Sequence, residues 1–208
     1  MRVVVAMDSF KGSISSLEAG DAVENGIHRV NRDTEVVVLP VADGGEGTTE
    51  ALTYGMKGIM REVSVTGPLG QAVTAQYGII NCDTAVMEMS AAAGLSLLDR
   101  NSRNPLDATT YGLGEMITDS IKQGCRHFII GIGGSATNDG GAGMLQALGF
   151  RLKDSAGNDI RPGARGLKDL RQIDTASVIE ELKDCQFYVA CDVTNPLCGK
   201  NGASMVFG

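Results

Sequence analysis

Gly131-Ile132-Gly133-Gly134-Ser135-Ala136-Thr137-Asn138-Asp139-Gly140-Gly141-Ala142-Gly143 holds six glycines in thirteen residues. It follows the apolar run His127-Phe128-Ile129-Ile130 and precedes the helix-like run Met144-Leu145-Gln146-Ala147-Leu148. A strand, a glycine loop and a helix in that order form the layout that binds phosphate. Glycine lets the backbone approach an anion with no Cβ in the way. The N–H groups at the helix start, aided by the helix dipole, are then expected to hold the negative charge. The stretch predicts an α/β fold and an enzyme that handles phosphate. Gly131 to Ala136 also fits the G-x-G-x-x-A dinucleotide pattern, although in mid-chain rather than at a first βα turn. Other phosphate and acyl-transfer signatures are missing. The Gly199-Lys200 pair is followed by Asn201, so no Walker A exists, and no H-R-D, D-F-G or G-x-S-x-G occurs.

Working outward, the first forty residues read as a βαβ unit. Residues 2–7 are a buried strand and Glu35-Val36-Val37-Val38-Leu39-Pro40 a second one, with a helix between them. Ser15 and Glu18 make a capping box at the start of that helix, and Leu17, Val23, Ile27 and Val30 follow at near-helical spacing. Two strands joined this way are expected to be parallel. After a second glycine loop, Ala42-Asp43-Gly44-Gly45-Glu46-Gly47-Thr48, comes a helix over roughly 47–56. Three close strands follow, at 63–66, 72–80 and 84–88, parted by Gly67-Pro68-Leu69-Gly70 and Asn81-Cys82-Asp83. Short turns of that kind predict an antiparallel meander. A helix over 108–123 shows Leu113, Met116, Ile117 and Ile121 on one face and stops at Gly124. Gln186 to Asp192 reads as a late buried strand. The expected organisation is two lobes: residues 1–60 opening a Rossmann-like βαβ lobe, and 61–208 a mixed α+β lobe carrying the glycine loop.

Composition narrows the function. The 208 residues carry a net charge of -7 and no Lys/Arg cluster, which argues against nucleic acid as a partner. Five cysteines without a C-x-x-C pair argue against a disulfide framework. No apolar run approaches a membrane span, and the apolar start is too short for a signal peptide, so a cytoplasmic protein is expected.

Acidic residues stand where α/β sheets bind ligands, at strand ends. Asp8-Ser9-Phe10-Lys11 ends the first strand and Asp43-Gly44-Gly45-Glu46 follows the second. If the strands are neighbours, Asp8 and Asp43 face one crevice, and such oxygen ligands suit Mg²⁺. Lys11 offers a cation for a carboxylate or phosphate. Glu88 lies in the apolar run Val86-Met87-Glu88-Met89, so it is either paired and used, or on a solvent face. Asp192 ends the late strand. With only His28 and His127 in the chain, and His127 at the start of its strand, a carboxylate is the expected base.

Together these segments resemble the bacterial-type glycerate kinase family. The resemblance rests on Asp8-Ser9-Phe10-Lys11, Pro40 through Thr48, Gly67-Pro68-Leu69-Gly70, Met87-Glu88-Met89-Ser90-Ala91-Ala92-Ala93-Gly94-Leu95, Gly131 through Gly143, and Cys191 through Leu197. It implies ATP-dependent phosphorylation of D-glycerate, most often on the 2-hydroxyl, between two α/β lobes. On that reading Asp8, Lys11, Asp43 and Asp192 are the catalytic candidates. Gly131, Gly133, Gly134, Ser135, Thr137, Asn138, Asp139, Gly140 and Gly141 bind the nucleotide. Ser9, Glu46, Glu88 and Arg103 meet the substrate, and Asp8, Asp43 and Asp139 hold Mg²⁺. Family members are about twice this length, so the chain is expected to represent their N-terminal half, to expose sheet edges, and to self-associate or pair with the other half. Two other classes stand beside this one. The chain is a non-catalytic ligand-binding fragment, or it is an NAD-dependent hydroxy-acid dehydrogenase, with Asp154 near the ~20-residue distance a ribose-binding acid requires.

Overall fold

The computed structural model describes residues 1–10 and 13–207. Lys11, a catalytic candidate, lies outside the described residues. In chain order the elements are β1 (Arg2–Val5), α1 (Ser16–Val30), β2 (Glu35–Val38), α2 (Thr48–Gly55), β3 (Ile59–Thr66), β4 (Ala72–Ile80), β5 (Thr84–Glu88), α3 (Met89–Ala93), α4 (Tyr111–Lys122), β6 (His127–Gly131), α5 (Ala142–Ala147), β7 (Arg151–Lys153), α6 (Ala164–Leu167), β8 (Gln172–Asp174), β9 (Gln186–Ala190) and α7 (Ala203–Val206).

β1 and β2 pair in parallel, Arg2 against Glu35 through Val5 against Val38. The capping box forms as expected. Glu18 N–H donates to Ser15 Oγ at 3.2 Å, and Ser15 N–H donates to Glu18 Oε2 at 2.8 Å. These bonds satisfy donors that the first helical turn cannot pair by itself.

The larger sheet runs β3-β4-β5-β6-β9. Its first three strands form the antiparallel meander, while β5, β6 and β9 are parallel. The switch has a simple cause. β3, β4 and β5 are joined by tight turns, whereas β5 returns to β6 through α3 and α4, and a parallel return needs such a crossover. α4 lies on this sheet and places Leu113, Met116 and Ile117, each at most 1% exposed, against Tyr77, Met87 and Phe128. Each of these side chains contributes about 1.5–3 kcal/mol by leaving water. Gly124 ends the helix at φ +95°, a conformation open to glycine at little cost. Helix α4 begins at Tyr111 rather than 108, because Thr109 donates its N–H to Pro68 O at 2.9 Å.

α2, grouped by sequence with the first lobe, packs on β5, β4 and β3. Gly78 of β4 makes this possible, since a Cβ there would collide with the Thr53 side chain. The change of packing partner therefore falls between β2 and α2. Leu152 and Ile160 form a small satellite cluster beside the β7–β8 hairpin. No helix among the described residues is long and apolar enough to cross a membrane.

Candidate active site

β5, β6 and β9 point the same way, and their carboxyl ends converge with the loop after β2. A Cβ on Gly44 would lie 2.8 Å from Ala190 O, one on Gly131 2.6 Å from Gly44 O, and one on Gly133 2.9 Å from Gly45 Cα. These three glycines let the 43–47 loop lie directly on the ends of β6 and β9. Thr48 holds that loop in shape: its Oγ1 accepts from Gly44 N–H at 3.1 Å and donates to Gly45 O at 2.8 Å. Asp43 Oδ1 accepts from Gly45 N–H at 3.0 Å.

Glu88 is buried, which settles its two sequence readings in favour of the paired one. Its Oε1 accepts from Thr49 N–H at 2.8 Å, in the first turn of α2, and its Oε2 accepts from Ser90 Oγ at 3.3 Å. Burial pushes the Glu88 carboxyl above the ordinary glutamate range, with the Thr49 and Ser90 hydrogen bonds opposing part of that shift. Glu88 thus pins the start of α2 to the end of β5.

Ser9, Phe10, Ser13, Ile14, Ser15, Glu46, Gly47 and Glu50 line a cleft of about 300 Å³ beside this junction. Ser9 Oγ donates to Glu46 O at 3.4 Å, and Asp8 Oδ1 accepts from Ser9 N–H at 2.6 Å. The structure therefore gathers Asp8, Ser9, Asp43, Glu46 and Glu88 around the strand ends. Arg103 is connected to the glycine loop through Leu95. Its Nη2 donates to Leu95 O at 3.2 Å, and Leu95 N–H donates to Gly134 O at 2.9 Å. Asp192 is exposed in the irregular segment after β9.

The glycine loop divides into two parts. From Gly141 onward its N–H groups are taken internally. Gly141 and Gly143 donate to the Asp139 carboxylate at 3.0 and 3.1 Å, Ala142 donates to Asp139 O, and Met144 donates to Thr110 Oγ1 at 2.9 Å. The helix start therefore has no donors to spare, which corrects the expectation that it holds the anion. The earlier part differs: the N–H groups of Gly134, Ser135, Asn138 and Gly140 donate to no protein acceptor among the described residues. Thr137 N–H donates to Ser135 Oγ at 3.1 Å, and Ser204 Oγ of α7 donates to Asn138 Oδ1 at 2.8 Å.

Two assignments change. Asp139, placed by sequence among the metal ligands, is 1% exposed and has both oxygens committed to N–H and O–H donors. Asp8, Asp43 and Asp139 accordingly do not gather as a three-acid metal cluster among the described residues. Asp154, the acid required by the dehydrogenase reading, braces its own turn through Ala156 and Asn158 N–H after β7, in a separate hairpin. These turn bonds hold its carboxyl below the ordinary range. Thr48, Thr49, Ser90 and Thr110 were missed by sequence. Thr110 carried a signal, a threonine directly before a helical run, though its hydroxyl caps α5 and not its own helix.

A model described as the glycerate kinase family matches residues 3–208. The chain is 50% identical to the Escherichia coli K12 protein named glycerate 2-kinase, over 100% of this chain and 55% of that one. It is likewise 50% identical to the Bacillus subtilis glycerate kinase, with the same coverage. A crystal structure bearing the name glycerate kinase 2, from Salmonella typhimurium LT2, superposes with a TM-score of 0.91 at 50% identity, covering 100% of this chain and 56% of that one. The chain spans about half the length of the curated relatives it matches. Matched by that family model over residues 3–208, the chain belongs to the glycerate kinase family.

Proposed function

We propose that this chain supplies the nucleotide loop and the acidic cleft for ATP-dependent phosphorylation of D-glycerate to 2-phosphoglycerate. The observation that carries the reading is the set of N–H groups at Gly134, Ser135, Asn138 and Gly140 that meet no protein acceptor among the described residues, in the loop after β6, the strand between those that lead to Glu88 and Asp192. Backbone donors fixed in place stabilise phosphate charge without reorganising. The name of the Escherichia coli relative, glycerate 2-kinase, supports the 2-position.

Asp8, Asp43 and Glu46 with the Ser9 hydroxyl offer the hard oxygen donors that Mg²⁺ prefers. Mg²⁺ commonly takes one or two carboxylates and completes its shell with water and phosphate, so this small set of oxygen donors fits it. When bound, the ion neutralises phosphate charge. In the transfer, the glycerate 2-hydroxyl oxygen forms a bond to the γ-phosphorus as the bond from that phosphorus to the β,γ-bridging oxygen breaks. ADP leaves with that electron pair, and the hydroxyl proton passes to a carboxylate of the Asp8 and Asp43 pair. Arg103 faces the substrate carboxylate or the developing charge, and Glu88 keeps α2 and the 43–47 loop in register. Positioning and charge stabilisation suffice for phosphoryl transfer.

The second reading, a ligand-binding part without turnover of its own, draws on the half-length coverage. The deciding experiment is ADP release with Mg-ATP and D-glycerate against a control lacking glycerate, with the phosphorylated position read by ³¹P NMR. Glycerate-dependent ADP and a 2-phosphoglycerate signal support the kinase reading. Nucleotide binding without release supports the second reading, and neither binding nor release overturns both.

A further inference from the structure

We infer that Asp139 and Thr110 form a crossed clasp that sets the conformation of the glycine loop, so that Asp139 is a positioning residue and not a metal ligand. The inference rests on the phosphate-holding reading of that loop.

Each of the two residues serves the helix that follows the other. Asp139 Oδ2 accepts from Thr110 N–H at 2.9 Å, where α4 begins, and from Gly143 N–H at 3.1 Å in α5. Its Oδ1 accepts from Gly141 N–H at 3.0 Å. Thr110 Oγ1 donates to Asp139 Oδ2 at 2.9 Å and accepts from Met144 N–H of α5 at 2.9 Å. The carboxylate has no Lys or Arg partner among the described residues, so the donors of two helix starts carry its compensation. Space around the clasp is closed. A Cβ on Gly143 would strike Thr109 Oγ1 and Tyr111 N, which makes glycine a requirement at 143.

The clasp anchors the loop at its C-terminal end. At the other end, Gly133 N–H donates to Gly44 O at 3.4 Å and Ala136 N–H donates to Ala93 O at 2.8 Å. Held at both ends, the segment 134–140 keeps the N–H groups of Gly134, Ser135, Asn138 and Gly140 without a protein acceptor among the described residues. An asparagine at 139 would set an NH₂ group against N–H donors, because three N–H groups and a hydroxyl already converge on two oxygens.

The test combines hydrogen exchange with nucleotide affinity on the whole chain, for wild type, Asp139→Asn, Thr110→Val and Thr110→Ser. The clasp predicts faster exchange in peptides covering 133–143 and 108–116 but not β4, in both Asp139→Asn and Thr110→Val, with Thr110→Ser restoring protection. It predicts a roughly tenfold weaker affinity for ATP, the scale of losing one buried hydrogen bond. The factor is the same with and without Mg²⁺, because the loop and not an ion is disturbed. A loss seen only with Mg²⁺ would return Asp139 to the metal ligands and overturn the inference. So would wild-type exchange in Asp139→Asn, or faster exchange with unchanged affinity. Should Asp139→Asn fail to fold, the Thr110→Val and Thr110→Ser pair decides by the same readouts. Failure of the wild-type chain to bind ATP at all would overturn the phosphate reading alone, and the clasp would then stand or fall on exchange.

Discussion

β5 and β9 flank the same strand, β6, run in the same direction, and have similar apolar sequences. Their surroundings are opposite. Met87 and Val189 both pair with Ile130, one from each side, yet Met87 is 0% exposed and Val189 is 59% exposed. β5 has neighbours on both edges, with α2 and α3 packed on it. β9 is the end strand of the sheet, and Phe187, Tyr188 and Val189 all face solvent at 42–59% exposure. Two strands that read alike differ because burial is a property of layers, which a strand cannot supply for itself. The acid at the end of each follows suit: Glu88 is held by named donors, while Asp192 lies exposed in the irregular segment after β9.

The comparison is most exposed to failure at Met87. Met87→Ala should cost about 2–5 kcal/mol, because the cavity lies among Tyr77, Leu113 and Phe128. Chemical denaturation measures it, and a cost below 1 kcal/mol would erase the contrast. Phe187→Ala comes next. Its ring stacks on Phe128 with centroids 4.7 Å apart, so about 1 kcal/mol is expected despite its exposure. A larger loss would mean that β9 is better covered in solution than its exposure implies.

Glu88→Gln tests the buried acid through pH. The folded-state pKa of Glu88 is raised, so the folded chain binds more protons than the unfolded one in the window just above the usual glutamate pKa of about 4.3. The Glu88 contribution is favourable below that value and is lost as pH climbs through the raised one. Stability of the wild type should therefore fall over that window more steeply than that of Glu88→Gln, which keeps an acceptor for Thr49 N–H. Parallel denaturation curves across pH would contradict the burial of a charge there. The smallest effect belongs to Val189→Ala, within about 0.5 kcal/mol as for other exposed positions. Its midpoint set beside that of Met87→Ala compares the two sides of Ile130 directly.

Local features were legible in the chain wherever short-range chemistry decides them. The Ser15/Glu18 capping box, the Leu113-Met116-Ile117-Ile121 face, the Gly124 stop and the parallel β1–β2 pair all follow from spacing and from backbone preferences acting within a few residues. Glu88 was legible as an anomaly, since an acid inside an apolar run must be paired or exposed, but not as an outcome. The reach of α2 was hidden because Gly78 and Thr53 meet only after folding.

The glycine loop shows most plainly where sequence ends. Six glycines between a strand and a helix announced a backbone that approaches something closely, and the sequence motifs brought the glycerate kinase resemblance into view. Which N–H groups remain free was beyond them. The helix start, expected to hold the anion, is occupied by Asp139 and by Thr110 from a segment some thirty residues earlier. Sequence by itself determined the strands of the β1–β2 pair and of the five-stranded sheet, the longer helices, the glycine loops and the family, because each depends on local conformation or on long matched motifs. Only the tertiary structure decided that β5 is buried and β9 open, that Glu88 is pinned, and that Asp139 braces the loop. Those depend on which distant donors and apolar layers fill the space around each residue.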